Sequence, residues 1–137
     1  MAKPKADAPH LARGQCGEEI AARALNSAGY HILARNWRFG HCEIDIICEK
    51  AGEIVFVEVK TRRSHKKGGG PGAITAKKRQ NLSRAAQKWL LVNKAWLAPC
   101  RFDVICLYGS GETFSLEHFK HAFCPALDRS NANWQSW

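Results

Sequence analysis

The chain has 137 residues, a length that argues for one domain able to bury roughly two thirds of its surface around a single core. Twenty-one Lys and Arg against 12 Asp and Glu leave a net charge of +9, so the expected partner is a polyanion. The longest unbroken apolar run, Val104 to Tyr108, falls far short of the about 20 residues a membrane helix needs, which excludes a helical membrane protein.

Residues 1 to 12 mix Pro, Ala and charge without periodicity and read as a flexible basic N-terminus. They lack the apolar stretch of a secretory signal, so the chain is expected to be cytoplasmic. The folded domain is expected over residues 13 to 124. From Gln15 to Ala28 the residues Ala21, Ala24, Leu25 and Ala28 recur at helical spacing, and Gly29 stops the helix. Three strand-like segments follow, His31 to Arg38, Glu43 to Glu49 and Glu53 to Thr61. Turn chemistry at Lys50-Ala51-Gly52 separates the last two. The stretch His65 to Gly72 reads as a mobile, basic gate over the site. Thr75 is a suitable N-cap for a second helix reaching about Asn93, with Leu82, Ala85, Ala86 and Trp89 as its inward stripe. Arg101 to Tyr108 is a buried-type strand, and Glu112 to Leu116 another, ahead of a short terminal helix that would hold His118 and His121 at i, i+3. Residues 125 to 137 read as a flexible C-terminal tail. The order α, β, β, β, α, β, β predicts an α/β domain, a mixed β-sheet flanked by helices.

Six cysteines, at 16, 42, 48, 100, 106 and 124, contain no C-x-x-C pair and fall partly inside apolar patterns. They read as reduced, buried small hydrophobes rather than a disulfide frame or a zinc centre.

Chemistry concentrates in the third strand segment. Alternation puts Phe56, Glu58 and Lys60 on one face and Val55, Val57 and Val59 on the other. A carboxylate and an ammonium beside Phe56 are costly unless they are paired, bind metal or border a cleft. With Ala51-Gly52 as a two-residue loop, opposed residues sum to 103, which sets Asp45 across from Glu58 and Glu43 across from Lys60. Glu18 precedes Ala21, Ala22 and Leu25 by three, four and seven positions and so faces the sheet, whereas Glu19 pairs outward with Arg23. Three carboxylates converging near one lysine form a hard-oxygen site suited to Mg2+ or Mn2+. The competing reading is a solvated charge ladder of Glu43, Lys60, Asp45 and Glu58, with Ile44, Ile46, Val57 and Val59 as its core side.

Between Val59 and Phe102 there is no Asp or Glu, yet 12 Lys and Arg fall there. Among them Arg62, Arg63, Lys66 and Lys67, together with the helix stripe Lys77, Arg84 and Lys88, suit the phosphates of a nucleic acid. Lys78 lies above the apolar stripe and should point at the sheet.

The pattern Gly17-Glu18, Glu43-Ile44-Asp45, Phe56-Val57-Glu58-Val59-Lys60-Thr61-Arg62, Lys78 and Arg101-Phe102-Asp103-Val104 resembles the YraN family of small bacterial proteins over about residues 13 to 124. That family is similar in turn to the restriction-endonuclease-like PD-(D/E)-x-K nucleases, above all the branch of archaeal-type Holliday junction resolvases. The resemblance implies a restriction-endonuclease-like fold in which Asp45 and Glu58 are metal-binding acids, Lys60 is the superfamily lysine, and Glu18 is the helix glutamate. Lys78 matches a basic residue of the following helix. His41-Cys42, where the family has Gly, and Arg79, where Gln is usual, depart from the pattern.

The expectation is therefore a magnesium- or manganese-dependent endonuclease acting on DNA, branched or structured DNA included. Asp45, Glu58, the Val59 carbonyl and Glu18 would hold the ion, and Lys60 would serve the attacking water. The alternative is a nucleic-acid-binding protein that keeps the nuclease-like fold without cutting. An exposed Trp96 or the tail tryptophans leave a homodimer open.

Overall fold

Helical spacing and strand alternation translate into seven elements in the computed structural model, which describes residues 13–62, 74–110 and 113–124. They are α1 (Arg13–Ser27), β1 (His31–Phe39), β2 (Cys42–Lys50), β3 (Glu53–Arg62), α2 (Ala76–Val92), β4 (Cys100–Ser110) and β5 (Thr113–Phe123). The two ends and the His65 to Gly72 loop lie outside the described residues. No helix among the described residues is long and apolar enough to cross a membrane.

The strands form one sheet in the order β1-β2-β3-β4-β5. All neighbours are antiparallel except β3 and β4, which run parallel, as a crossover through α2 requires. The α/β mixed sheet flanked by helices is thus present. Thr75 caps α2 by accepting the Lys78 N–H at 3.1 Å. The turn between β2 and β3 takes its shape from Ala51 and Gly52, both left-handed at φ 52° and 83°. Such a turn fixes the register, and Ile46 pairs with Val57, Ile47 with Phe56 and Lys50 with Glu53.

Each face of the sheet carries its own core. Ala21, Ala22 and Leu25 of α1 pack on Ile46, Val55, Val57 and Ile105. Leu82, Ala85, Ala86 and Trp89 of α2 pack on Ile44, Ile47, Phe56 and Phe102 from the other side. Trp96 is not the exposed residue expected, because it packs half-buried against this second core. A Cβ on Gly17 would stand 2.5 Å from Thr61 Oγ1 and 3.2 Å from Leu107 Cδ1, so the glycine lets the start of α1 lie directly on the sheet.

The expected terminal helix does not form. Residues 113–123 are the edge strand β5, and a register shift opposite Asp103 takes up the residues whose spacing resembled a helical turn. That irregularity leaves His121 left-handed at φ 52° and turns its N–H onto Asp103 Oδ1 at 3.1 Å. Arg101 Nε donates to the same oxygen at 2.9 Å, and His118 Nε2 lies 2.7 Å from Oδ2. Arg101 also reaches Glu53 at 2.6 Å and the Tyr30 hydroxyl at 2.8 Å, so it is not one of the cations without a counterion that the sequence suggested. Burial works against the Asp103 charge, but His118, Arg101 and the His121 N–H outweigh it and hold the carboxyl below its usual range.

This carboxylate stitches β5 to β4, and its partner Arg101 carries the link on to Glu53 of β3. Asp103→Asn is expected to cost about 3 kcal/mol in urea unfolding, because it leaves buried donors mismatched. A loss below about 1 kcal/mol would show that the network is dispensable. The sign for pH follows from the depressed carboxyl: its stabilisation is present above the unfolded value of 3.8 and fades as pH falls below that.

Candidate active site

The site stands where β2 and β3 part. Their ladder ends at Ile46 and Val57, one residue short of the expected pair Asp45 and Glu58. Asp45 breaks it by using its side chain in place of backbone: Oδ2 accepts the Val59 N–H at 2.8 Å. Alternation fails at the same point, since Ile44 joins the α2-side core and Ile46 the α1-side core although they are two positions apart. Asn36, midway between the residues that pair with Ile44 and Ile46, is left-handed at φ 51°, so the neighbouring strand bends there too.

The carboxyls of Asp45 and Glu58 nevertheless meet. Glu58 is 5% exposed, which removes the solvated-ladder reading, and its Oε1 is buried with no hydrogen-bond partner among the described residues. Its other oxygen, Oε2, lies 3.7 Å from Lys60 Nζ and 3.6 Å from Lys78 Nζ. Lys78 therefore points at the sheet as its place on α2 predicted. Lys60 turns to Glu58 on its own strand rather than to Glu43, which pairs with Arg38 of β1 at 3.6 Å. Burial, then the Asp45 charge, pushes the Glu58 carboxyl up to about 7 against the pull of Lys78 and Lys60. Burial likewise raises Asp45, while the Val59 N–H and Lys78 restrain the rise.

Glu18, half-buried on α1, is raised by burial and then by the Asp45 charge. A hydrogen bond from the Asn36 side chain works in the opposite sense. Among the described residues no three His, Cys, Asp or Glu side chains are grouped as a ready metal cage, so Glu18 stands beside the pair rather than within it. Sequence reasoning missed Asn36, whose only signal was a polar, turn-prone residue inside a strand pattern. The Val59 carbonyl belongs with the acids, because a strand residue turns its N–H and C=O to the same edge, here towards Asp45. Three hard oxygens of this kind, one of them orphaned, fit a small divalent cation.

Of the expected phosphate-binding residues, Lys77, Arg84 and Lys88 are exposed along α2 and Arg62 is half-buried at the end of β3. Arg63, Lys66 and Lys67 lie outside the described residues. Of the described cysteines, Cys42, Cys48 and Cys106 are buried, Cys100 is half-buried and Cys124 is exposed.

Fold and site together define an α/β protein on a mixed sheet, with a buried acid pair and two lysines where the sheet opens. The chain belongs to the family described as "Uncharacterised protein family UPF0102", whose model matches residues 17–107 and so spans every element of the site. A UPF0102 protein of Nitratidesulfovibrio vulgaris (strain DP4) is 47% identical over 133 residues, 96% of this chain and 98% of its own length. One from Lawsonia intracellularis is 44% identical over 126 residues, 90% of this chain and 96% of its own. A third, from Symbiobacterium thermophilum, is 47% identical over 92 residues, 67% of this chain and 78% of its own.

The raised Glu58 carboxyl sets a pH dependence. Its favourable, protonated form is complete below the unfolded value of 4.5 and is lost as pH climbs through about 7. Without divalent cations, wild-type stability should therefore fall relative to Glu58→Gln across that window, by on the order of 3 kcal/mol. Parallel urea titrations at pH 4.5 and pH 8 measure it, and an unchanged difference would mean the carboxyl is not held in its neutral form.

Proposed function

We propose that this protein is a metal-dependent nuclease that hydrolyses phosphodiester bonds in DNA, branched or otherwise structured DNA included, with Mg2+ or Mn2+ as cofactor and the cytoplasm as its place of work. One observation carries the reading: the buried Glu58 carboxylate, set against Asp45, has one oxygen orphaned and two ammonium groups on the other. Burying two like charges together is unfavourable, and apolar side chains of similar volume would serve stability better. A demand for a cation explains why the acids are there.

Asp45, Glu58 and the Val59 carbonyl would hold the ion, with Glu18 joining directly or through water. When bound, such an ion polarises a phosphoryl oxygen and lowers the pKa of a water. The Lys60 ammonium orients the attacking water and offsets charge growing on the phosphoryl group. Lys78 grips the neighbouring phosphate. Lys77, Arg84 and Lys88 continue that grip along α2, and Arg62 supplies it at the end of β3, with Arg63, Lys66 and Lys67 following it in sequence. Nothing in this chemistry reads bases, so selectivity falls to the shape of the nucleic acid. The pairing of two carboxylates rather than three favours a second reading, a nucleic-acid-binding protein that keeps this outline without cutting.

Four-way junctions, single strands and duplexes incubated with the protein and Mg2+ or Mn2+ separate the two. Cleavage is expected, with Asp45→Ala inactive and Lys60→Ala slower by about 10²–10⁴-fold. Mn2+ should also raise the melting temperature of the wild type but not of Asp45→Ala, since a ligand that binds only the folded state stabilises it. If no substrate is cut, or the variants cut like the wild type, the enzyme reading fails.

A further inference from the structure

Among the described residues the one exposed Phe, Tyr or Trp ring is Phe39, 42% accessible at the end of β1. Phe39 pairs with Cys42, where β2 begins, so it lies at the end of the sheet where β3 finishes with Lys60 and Arg62. Above the ring sits an ammonium, Lys88 Nζ, at 5.5 Å from its centroid. Lys88 closes the exposed stripe begun by Lys77 and Arg84, and none of the three has a carboxylate partner among the described residues. Helix α2 thus links the two places. Lys78 stands at Glu58 and Lys88 at Phe39, ten residues apart or about 15 Å of helix.

A row of cations ending at a partly exposed aromatic ring is the chemistry of single-stranded nucleic acid, in which the backbone follows the charges and an unpaired base stacks on the ring. A continuous duplex has no use for Phe39, because its bases are already stacked on one another. We propose that Phe39 is a stacking platform for an unpaired base of a strand whose phosphates run along Lys77, Arg84 and Lys88 towards the acid pair. The substrate accordingly carries a single-stranded segment, as a flap, a fork or an open junction does. This inference rests on the nucleic-acid reading above and narrows it.

Binding measured without divalent cations, in EDTA, keeps the test independent of cleavage. Fluorescence anisotropy with a labelled thymidine oligonucleotide and with a blunt duplex compares wild type, Phe39→Ala and Phe39→Trp. Phe39→Ala should lose about tenfold on the single strand, the scale of one base–aromatic stack, and keep its duplex affinity. Phe39→Trp should match or exceed the wild type on the single strand. Unchanged single-strand affinity in Phe39→Ala, or an equal loss on both nucleic acids, overturns the platform while leaving the nuclease reading in place. A wild type that binds neither nucleic acid overturns both.

Discussion

Two carboxylates, Asp45 and Glu58, occupy one desolvated corner of the sheet, and much of the surrounding architecture follows from accommodating them. The β2–β3 ladder stops one residue early so that Asp45 can take the Val59 N–H. The neighbouring strand adopts a left-handed residue, Asn36, at the same level. Lysines arrive from two directions, Lys60 along the strand and Lys78 from the helix, and both address the same oxygen. Among the described residues the oxygen left over has no hydrogen-bond partner. Each of these features costs regularity or packing, and the divalent cation proposed above would offset that cost.

The sheet carries a second buried carboxylate, Asp103, and the contrast is instructive. Asp103 is fully buried yet surrounded by donors from Arg101, His118 and His121, so its charge is favoured. Glu58 is almost as buried, but its donors are fewer and a second acid stands beside it, so its charge is disfavoured. The first arrangement ties strands together. The second stores an unmet electrostatic demand at the open end of the sheet.

Much of this was legible in the sequence. The faces of Phe56, Glu58 and Lys60 followed from alternation because β3 is paired with β4 continuously from Ile54 to Arg62, which enforces the period of two. The hairpin register followed from its two-residue turn, and the inward course of Lys78 from the apolar stripe of α2. Periodicity failed where a side chain displaced a backbone hydrogen bond, as at Asp45, since such a bond has no repeat to betray it. It failed again in β5, where residues spaced like a helical turn are accommodated by a bulge. Chain order could not tell that Arg101 is spent on Asp103 and Glu53, because that depends on which strands become neighbours.

The irregularities in the two outer strands have a further consequence. An intact outer strand offers a continuous row of backbone donors and acceptors onto which another chain can build. Here β1 is interrupted by its register shift near Leu33 and again at Asn36, and β5 by the shift opposite Asp103 and the left-handed His121. Neither rim presents a straight template, so the features that shape the interior also discourage the sheet from growing sideways into fibrils.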